Sequence, residues 1–252
     1  MKKYLGILIT ITLLNLTLTA PSMAEEVRVA VAANFTAPMK VIAANFEKAS
    51  GNKVTLSFGA TGMFYTQIKN GAPFDILLSA DMQAPEKLEQ EGAAVPGVRF
   101  TYAIGKLVLW SLTPSYVDDK GDVLKRNGFK HVALASPKVA PYGAAAMEVM
   151  EKLDLVQSLQ SKFVQGENIA QAYLFASTGN AELGFVALSQ VTEGGKLKSG
   201  SVLMIPQTLY TPLRQDAALL TRAKDNTAAK ALIEYLKSES ALVVIRSYGY
   251  EL

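Results

Sequence analysis

Residues 27–47 read VRVAVAANFTAPMKVIAANFE, and this stretch decides how the chain folds. Its first part, 27–33, is a short, mostly apolar run of valine and alanine broken only by Arg28, and predicts a strand. Asn34 and Thr36 stand where a helix would begin, and Pro38 falls in its first turn, where a missing N–H costs little. Val41, Ile42, Phe46 and Ala49 follow at helical spacing. A strand that feeds a helix through a small polar turn is the opening of a βαβ unit. It also builds an anion site. The first amides of a helix lack intrahelical acceptors and lie at the positive end of its dipole.

The same device recurs along the chain. A strand is expected over 53–58, a tight turn at Gly59-Ala60-Thr61-Gly62, and a helix over 63–70. Residues 74–79 form a near-continuous apolar run, of the kind buried on both faces of a parallel sheet, and a short helix follows at 85–91. Strands are then expected over 106–111, 132–135, 163–164 and 183–187, with a loose helix within 118–127 and firmer ones over 144–153 and 168–176. A polar turn with two prolines, 136–143, precedes the helix at 144. Residues 204–213 read as a connector or an irregular strand; 216–220 is a strand, and two helices, 227–237 and 240–248, close the chain. The two halves echo each other, and a helix-covered, mainly parallel sheet in each would fit. Composition alone marks no boundary between them.

The first 24 residues read as a secretory signal peptide: a charged Met1-Lys2-Lys3 start, an apolar stretch over 4–19, and small residues at Ser22 and Ala24, with cleavage expected after Ala24. A single membrane span is the alternative, disfavoured by the short stretch and its cleavage pattern. The formal charge of +3 falls to about +1 without Lys2 and Lys3, so nothing suggests a nucleic-acid footprint. The chain has no cysteine, which excludes disulfides and thiolate metal sites. A lone histidine, His131, makes a histidine metal site or a Ser-His triad improbable. Asp75 and Asp81 could form a carboxylate pair, but they bracket a strand and read better as loop and cap partners. There is no G-x-G-x-x-G at the first βα turn and no phosphate loop of the G-x-x-x-x-G-K-[ST] type.

What remains is a set of small polar turns before helices: Asn34, Thr61, Tyr142-Gly143 and Asn168-Ile169. Singly, each is a helix start. Together, at strand ends, they describe a neutral anion site in the place where open α/β sheets bind ligands. Backbone N–H and hydroxyl groups would replace the hydration shell of the ion without a charged partner.

With these residues in view, the chain resembles the periplasmic molybdate-binding proteins of bacterial ABC importers, within the type II family of two-lobed binding proteins. The likeness covers nearly all of the chain after residue 24. It rests on Val31-Ala32-Ala33-Asn34-Phe35-Thr36, Ser57-Phe58-Gly59-Ala60-Thr61-Gly62, Gly71-Ala72-Pro73-Phe74-Asp75-Ile76, Ser79-Ala80-Asp81 and the closing Ser247-Tyr248-Gly249-Tyr250. The resemblance implies a two-lobed α/β fold, with lobe 1 formed by 25–103 and 206–252 and lobe 2 inserted as 104–205. It implies that Asn34, Thr61, Tyr142 and Ile169 bind a molybdate or tungstate dianion in the cleft, with no direct protein ligand to molybdenum. Sulfate or another tetrahedral oxyanion is the alternative, and a small-molecule enzyme on the same fold is the alternative of a different class. No catalytic set, no cofactor and no nucleic acid are expected. The implied setting is the periplasm, and the implied partners are membrane permease subunits that a monomer approaches. One departure stands out: a tyrosine common in the family falls at Ala187, and Asn34 and Tyr142 are expected to take over part of its work.

Overall fold

The computed structural model describes residues 25–252, so the expected signal peptide lies outside the described residues. In chain order the strands are β1 (Glu26–Ala32), β2 (Lys53–Gly59), β3 (Ile76–Leu78), β4 (Phe100–Gly105), β5 (Leu107–Ser111), β6 (Val132–Ala135), β7 (Phe163–Gly166), β8 (Leu183–Ala187), β9 (Thr192–Glu193), β10 (Lys196–Leu197), β11 (Ser201–Met204) and β12 (Leu213–Leu219). They form two five-stranded sheets, ordered β2-β1-β3-β12-β4 and β11-β5-β8-β6-β7, and a small β9-β10 hairpin.

Read from opposite ends, the two sheets have one plan. Three parallel strands, β2-β1-β3 or β7-β6-β8, are followed by two that run against their neighbours, β12-β4 or β5-β11. Each sheet is therefore mixed, with four strands pointing one way and a single strand, β12 or β5, opposing them. The antiparallel members are the strands through which the chain enters and leaves each sheet. The chain crosses from the first sheet to the second between β4 and β5, with Lys106 alone between them, and returns between β11 and β12.

The valine run of β1 explains why this strand is central. Val27, Val29 and Val31 alternate onto one face, where Phe35 and, from the helix Thr36–Ser50, Met39, Ile42 and Phe46 cover them. Ala30 and, on β3, Leu77 face the other way, against Phe64 and Leu88. Burying one such aliphatic or aromatic side chain is worth roughly 1.5–3 kcal/mol. In the second sheet Leu107 and Leu109 face one core, while Val108 and Trp110 face another.

Four strands escape the sequence reading: β4, β11 and the two-residue β9 and β10. β4 follows a Pro-Gly loop and pairs with β12 through a register shift between Gln215 and Asp216, so its pattern is interrupted on the partner side. β11 runs into the expected connector at 204–213 and pairs over only four residues, between Gly200 and Pro206. Two helices that line the pocket begin earlier than their apolar spacing suggests. One starts at Thr61, and the other at Pro141, where proline occupies the first helical position.

The halves touch through small residues. Ala32, Ala33, Ala60 and Ala80, all from the first half, are buried within the core cluster of the second. The Gly62 amide donates to the Val139 carbonyl at 2.9 Å across the same junction. A Cβ on Gly62 would crowd the Val139 backbone, so glycine permits this approach.

Candidate functional site

Each of the four expected residues lies at the start of a helical segment that leaves the carboxyl end of a strand or a strand-end turn. Asn34 is the middle residue of the 3-10 turn Ala33–Phe35, between β1 and the helix Thr36–Ser50. Thr61 opens the helix Thr61–Lys69 after β2. Tyr142 is the second residue of Pro141–Lys152, and Ile169 opens Ile169–Ser177 after β7. All four are buried. They line one small pocket together with Ala32, Ala33, Gly59, Ala60, Ala80, Ala140, Pro141 and Asn168. Among the described residues, no charged side chain lines it. Its volume is about 10 Å³, the space of about one water molecule, which leaves no room for an extended molecule.

The donors follow from how the helices begin. The side chain of Asn168 caps its helix by accepting from the amides of Ala170 (2.9 Å) and Gln171 (3.2 Å). That leaves the Ile169 amide, also in the first turn, without an intrahelical acceptor. The amides of Thr61 and Tyr142 are first-turn amides of the same kind. Neither helix is capped by a side chain. Thr61 Oγ1 accepts from the Ala80 amide at 2.9 Å, so its own hydrogen is available to a guest. The helix ends together supply positive potential without a cation.

Asn34 is held from both sides of the molecule. Its Nδ2 donates to Gln215 Oε1 (2.8 Å) and to the Tyr250 hydroxyl (3.0 Å). Its carbonyl accepts from Tyr250 (2.8 Å) and from Ser189 Oγ (2.9 Å), the latter reached from the second half. Its Oδ1 is buried without a partner. The Tyr142 hydroxyl receives Gln215 Nε2 at 3.2 Å. Burial pushes the hydroxyls of Tyr102, Tyr142 and Tyr250 well above the ordinary tyrosine range, so all three are neutral at physiological pH. Gly105 makes room here: a Cβ at that position would collide with the Tyr142 hydroxyl and Gln215 Nε2.

Ala187, where the common tyrosine would fall, ends β8. Its amide donates to Gln190 Oε1 at 2.9 Å, and Gln190 Nε2 donates to the Ile169 carbonyl at 3.1 Å. Gln190 thus ties this strand end to the Ile169 helix.

The polar residues beneath the pocket, Gln215, Ser189, Tyr102 and Tyr250, were not legible as a site. Gln215 carried the one usable signal, a polar residue between Arg214 and Asp216 just ahead of the apolar Ala217-Ala218-Leu219. Asp75 and Asp81 do not face each other as an acid pair. Asp75 accepts from the Arg28 amide and pairs with Arg222. Asp81 caps the next helix by accepting from the Ala84 amide at 2.9 Å. A larger cavity of about 290 Å³, lined by Tyr65, Asp81, Lys87 and Lys138 among others, opens between the halves beside Thr61 and Gly62.

Residues 27–251 match the family described as bacterial extracellular solute-binding protein. The chain is 61% identical over 235 residues to the molybdate-binding protein ModA of Azotobacter vinelandii, covering 93% of each sequence. It is 56% identical to the molybdate-binding protein ModA of Rhodobacter capsulatus, covering 92% of this chain and 91% of that one. Among solved structures, the Azotobacter vinelandii periplasmic molybdate-binding protein superposes with a TM-score of 0.87 at 40% identity, over 90% of this chain and 99% of that one.

Proposed function

The chain belongs to the bacterial extracellular solute-binding proteins, and from that premise we propose that it captures molybdate, and tungstate with it, for an ABC importer. It is a binding protein and not an enzyme, as its relatives are solute-binding proteins. The single observation that carries the ligand is the pocket itself: four first-turn positions, two from each half, around a small space with no charged wall. Such a site supports a fully deprotonated dianion, because the first-turn backbone amides and the hydrogen of the Thr61 hydroxyl are donors. The ion would be held by Asn34, Thr61, Tyr142 and Ile169 through oxygen, with no bond from protein to molybdenum and no cofactor.

The lobes we assign are 25–103 with 206–252, and 104–205. Closure of one on the other would complete the hydrogen-bond shell, which is where its free energy would come from. The periplasm is the setting of the Azotobacter vinelandii relative, and we extend it to this chain. Export by the leader before Glu25, action as a monomer and docking of the closed form on permease subunits complete the reading.

Isothermal titration of the ligand-free mature chain with molybdate, tungstate and sulfate tests it. Tight one-to-one binding of the first two, unmoved by excess sulfate, is the expected result. Equal binding of sulfate would overturn the named ligand while leaving a neutral oxyanion site. No binding of any of the three would overturn the reading.

A further inference from the structure

Thr61, Ala140 and Pro141 line two spaces at once. On one side is the small pocket, and on the other is the cavity of about 290 Å³ that opens between the halves. The seam beside them is closed by the Gly62 amide, which donates to the Val139 carbonyl at 2.9 Å, and both of these residues line the outer cavity. At Asn34 the pocket is backed instead by buried partners, Gln215, Ser189 and Tyr250. The outer cavity is therefore the side from which a guest can come.

The two spaces differ in charge. No charged side chain lines the pocket, so its donors act on a dianion only at hydrogen-bond range, about 3 Å. A charge acts over a Debye length, about 8 Å at physiological ionic strength. The outer cavity brings Lys87 from the first half and Lys138 from the second to one space, with Asp81 as the one acid in its lining. The Asp81 carboxyl is already engaged by the Ala84 amide and the Ser79 hydroxyl. Lys87 lies over the Tyr65 ring, 4.9 Å from its centre, and 60% of its side chain is exposed, with only a loose 4.0 Å contact to Glu91. Lys138 is exposed and, among the described residues, forms no ion pair. The next cavity along the seam shares Asp81 and Pro141, adds Glu148 and has no cation in its lining. The potential along the seam thus becomes more positive toward the lysine end, where Thr61 and Gly62 lie.

We propose that this lysine-lined cavity is the entry site of the oxyanion: Lys87 and Lys138, one from each half, draw the dianion to the seam by charge before the halves close on it. This rests on the oxyanion reading above. Both ammonium groups stand in water, where an ion pair is worth little, so the cavity speeds arrival and the neutral pocket holds the ion at equilibrium. Charge does not separate sulfate from molybdate, so both enter alike and selection is left to the pocket.

The test separates rates from affinity. Kd is measured by calorimetric titration with molybdate, koff by chasing bound 99Mo-molybdate with unlabelled molybdate, and kon follows as koff/Kd. At about 0.01 M salt, where the Debye length is about 30 Å, the Lys87→Gln, Lys138→Gln double variant is expected to lose about fivefold in kon, with koff within about twofold of wild type. At about 1 M salt, where that length is about 3 Å, the difference should vanish. Lys87→Arg with Lys138→Arg should keep the wild-type rate. Lys48→Gln with Lys152→Gln removes the same two charges from the far ends of the helices Thr36–Ser50 and Pro141–Lys152, and should leave kon nearly unchanged. An unchanged kon in the cavity variant, an equal loss in the distant one, or a loss that sits in koff overturns the proposal. Should the cavity variant not fold, the wild type still carries the test, and a kon indifferent to salt overturns it. A wild type that does not bind molybdate overturns the functional reading and this inference with it.

Discussion

Thr61 shows how little chemistry the site needs at a single residue. Its hydroxyl oxygen is held by the Ala80 amide, which fixes the side chain and leaves one hydrogen to give. Thr61→Ser should keep molybdate affinity within about twofold, and Thr61→Ala should lose about tenfold, read by calorimetry. Asp81, close by, tests the electrostatics. Burial raises its carboxyl above the usual aspartate range, against the opposing pull of hydrogen bonds from the Ala84 amide and Ser79. The folded state thus binds this proton more tightly than the unfolded chain. Its contribution is fully present below the ordinary aspartate pKa and is lost as pH rises through the raised value. Asp81→Asn removes that loss, so its melting temperature should gain on the wild type as pH climbs from about 4 toward neutrality. A difference constant with pH would contradict this. Small polar residues at strand-to-helix turns are readable because local chain geometry puts them there. Gln215 is not, since its partners Asn34, Tyr102 and Tyr142 come from distant parts of the chain.

Helix starts do the work at the next scale. The Asn168 cap takes two amides and leaves that of Ile169, so the cap defines the donor. Asn168→Ala should cost about 1 kcal/mol of stability by chemical denaturation. It should also weaken molybdate binding as the first turn frays, and Asn168→Asp should restore most of the stability. Most elements were legible because period and punctuation agree: β6 and β8 were read to the residue over 132–135 and 183–187. The misses have physical reasons. β4 pairs across a register shift, and β11 is a four-residue edge strand. Pro141 and Thr61 start their helices before the apolar spacing does, because the first turn is spent on the pocket and not on the core.

For the whole molecule, two copies of one sheet plan meet across alanines and Gly62. Gly62→Ala should leave the circular dichroism of the ligand-free protein unchanged and weaken molybdate several-fold, because the new methyl presses on Val139 where the halves meet. The weak echo between halves was visible in the order of strands, turns and helices. The one opposing strand of each sheet, β12 or β5, was not, since strand direction depends on pairing between distant parts of the chain. The most direct test of the central claim, a neutral oxyanion site built from helix starts of both halves, is a crystal structure of the molybdate complex with the metal located by anomalous scattering. The account predicts one molybdenum among Asn34, Thr61, Tyr142 and Ile169, its oxygens within hydrogen-bond distance of their amides and hydroxyls. Molybdenum in the outer cavity beside Lys87 and Lys138 would contradict it, for the ion would then be held by charge.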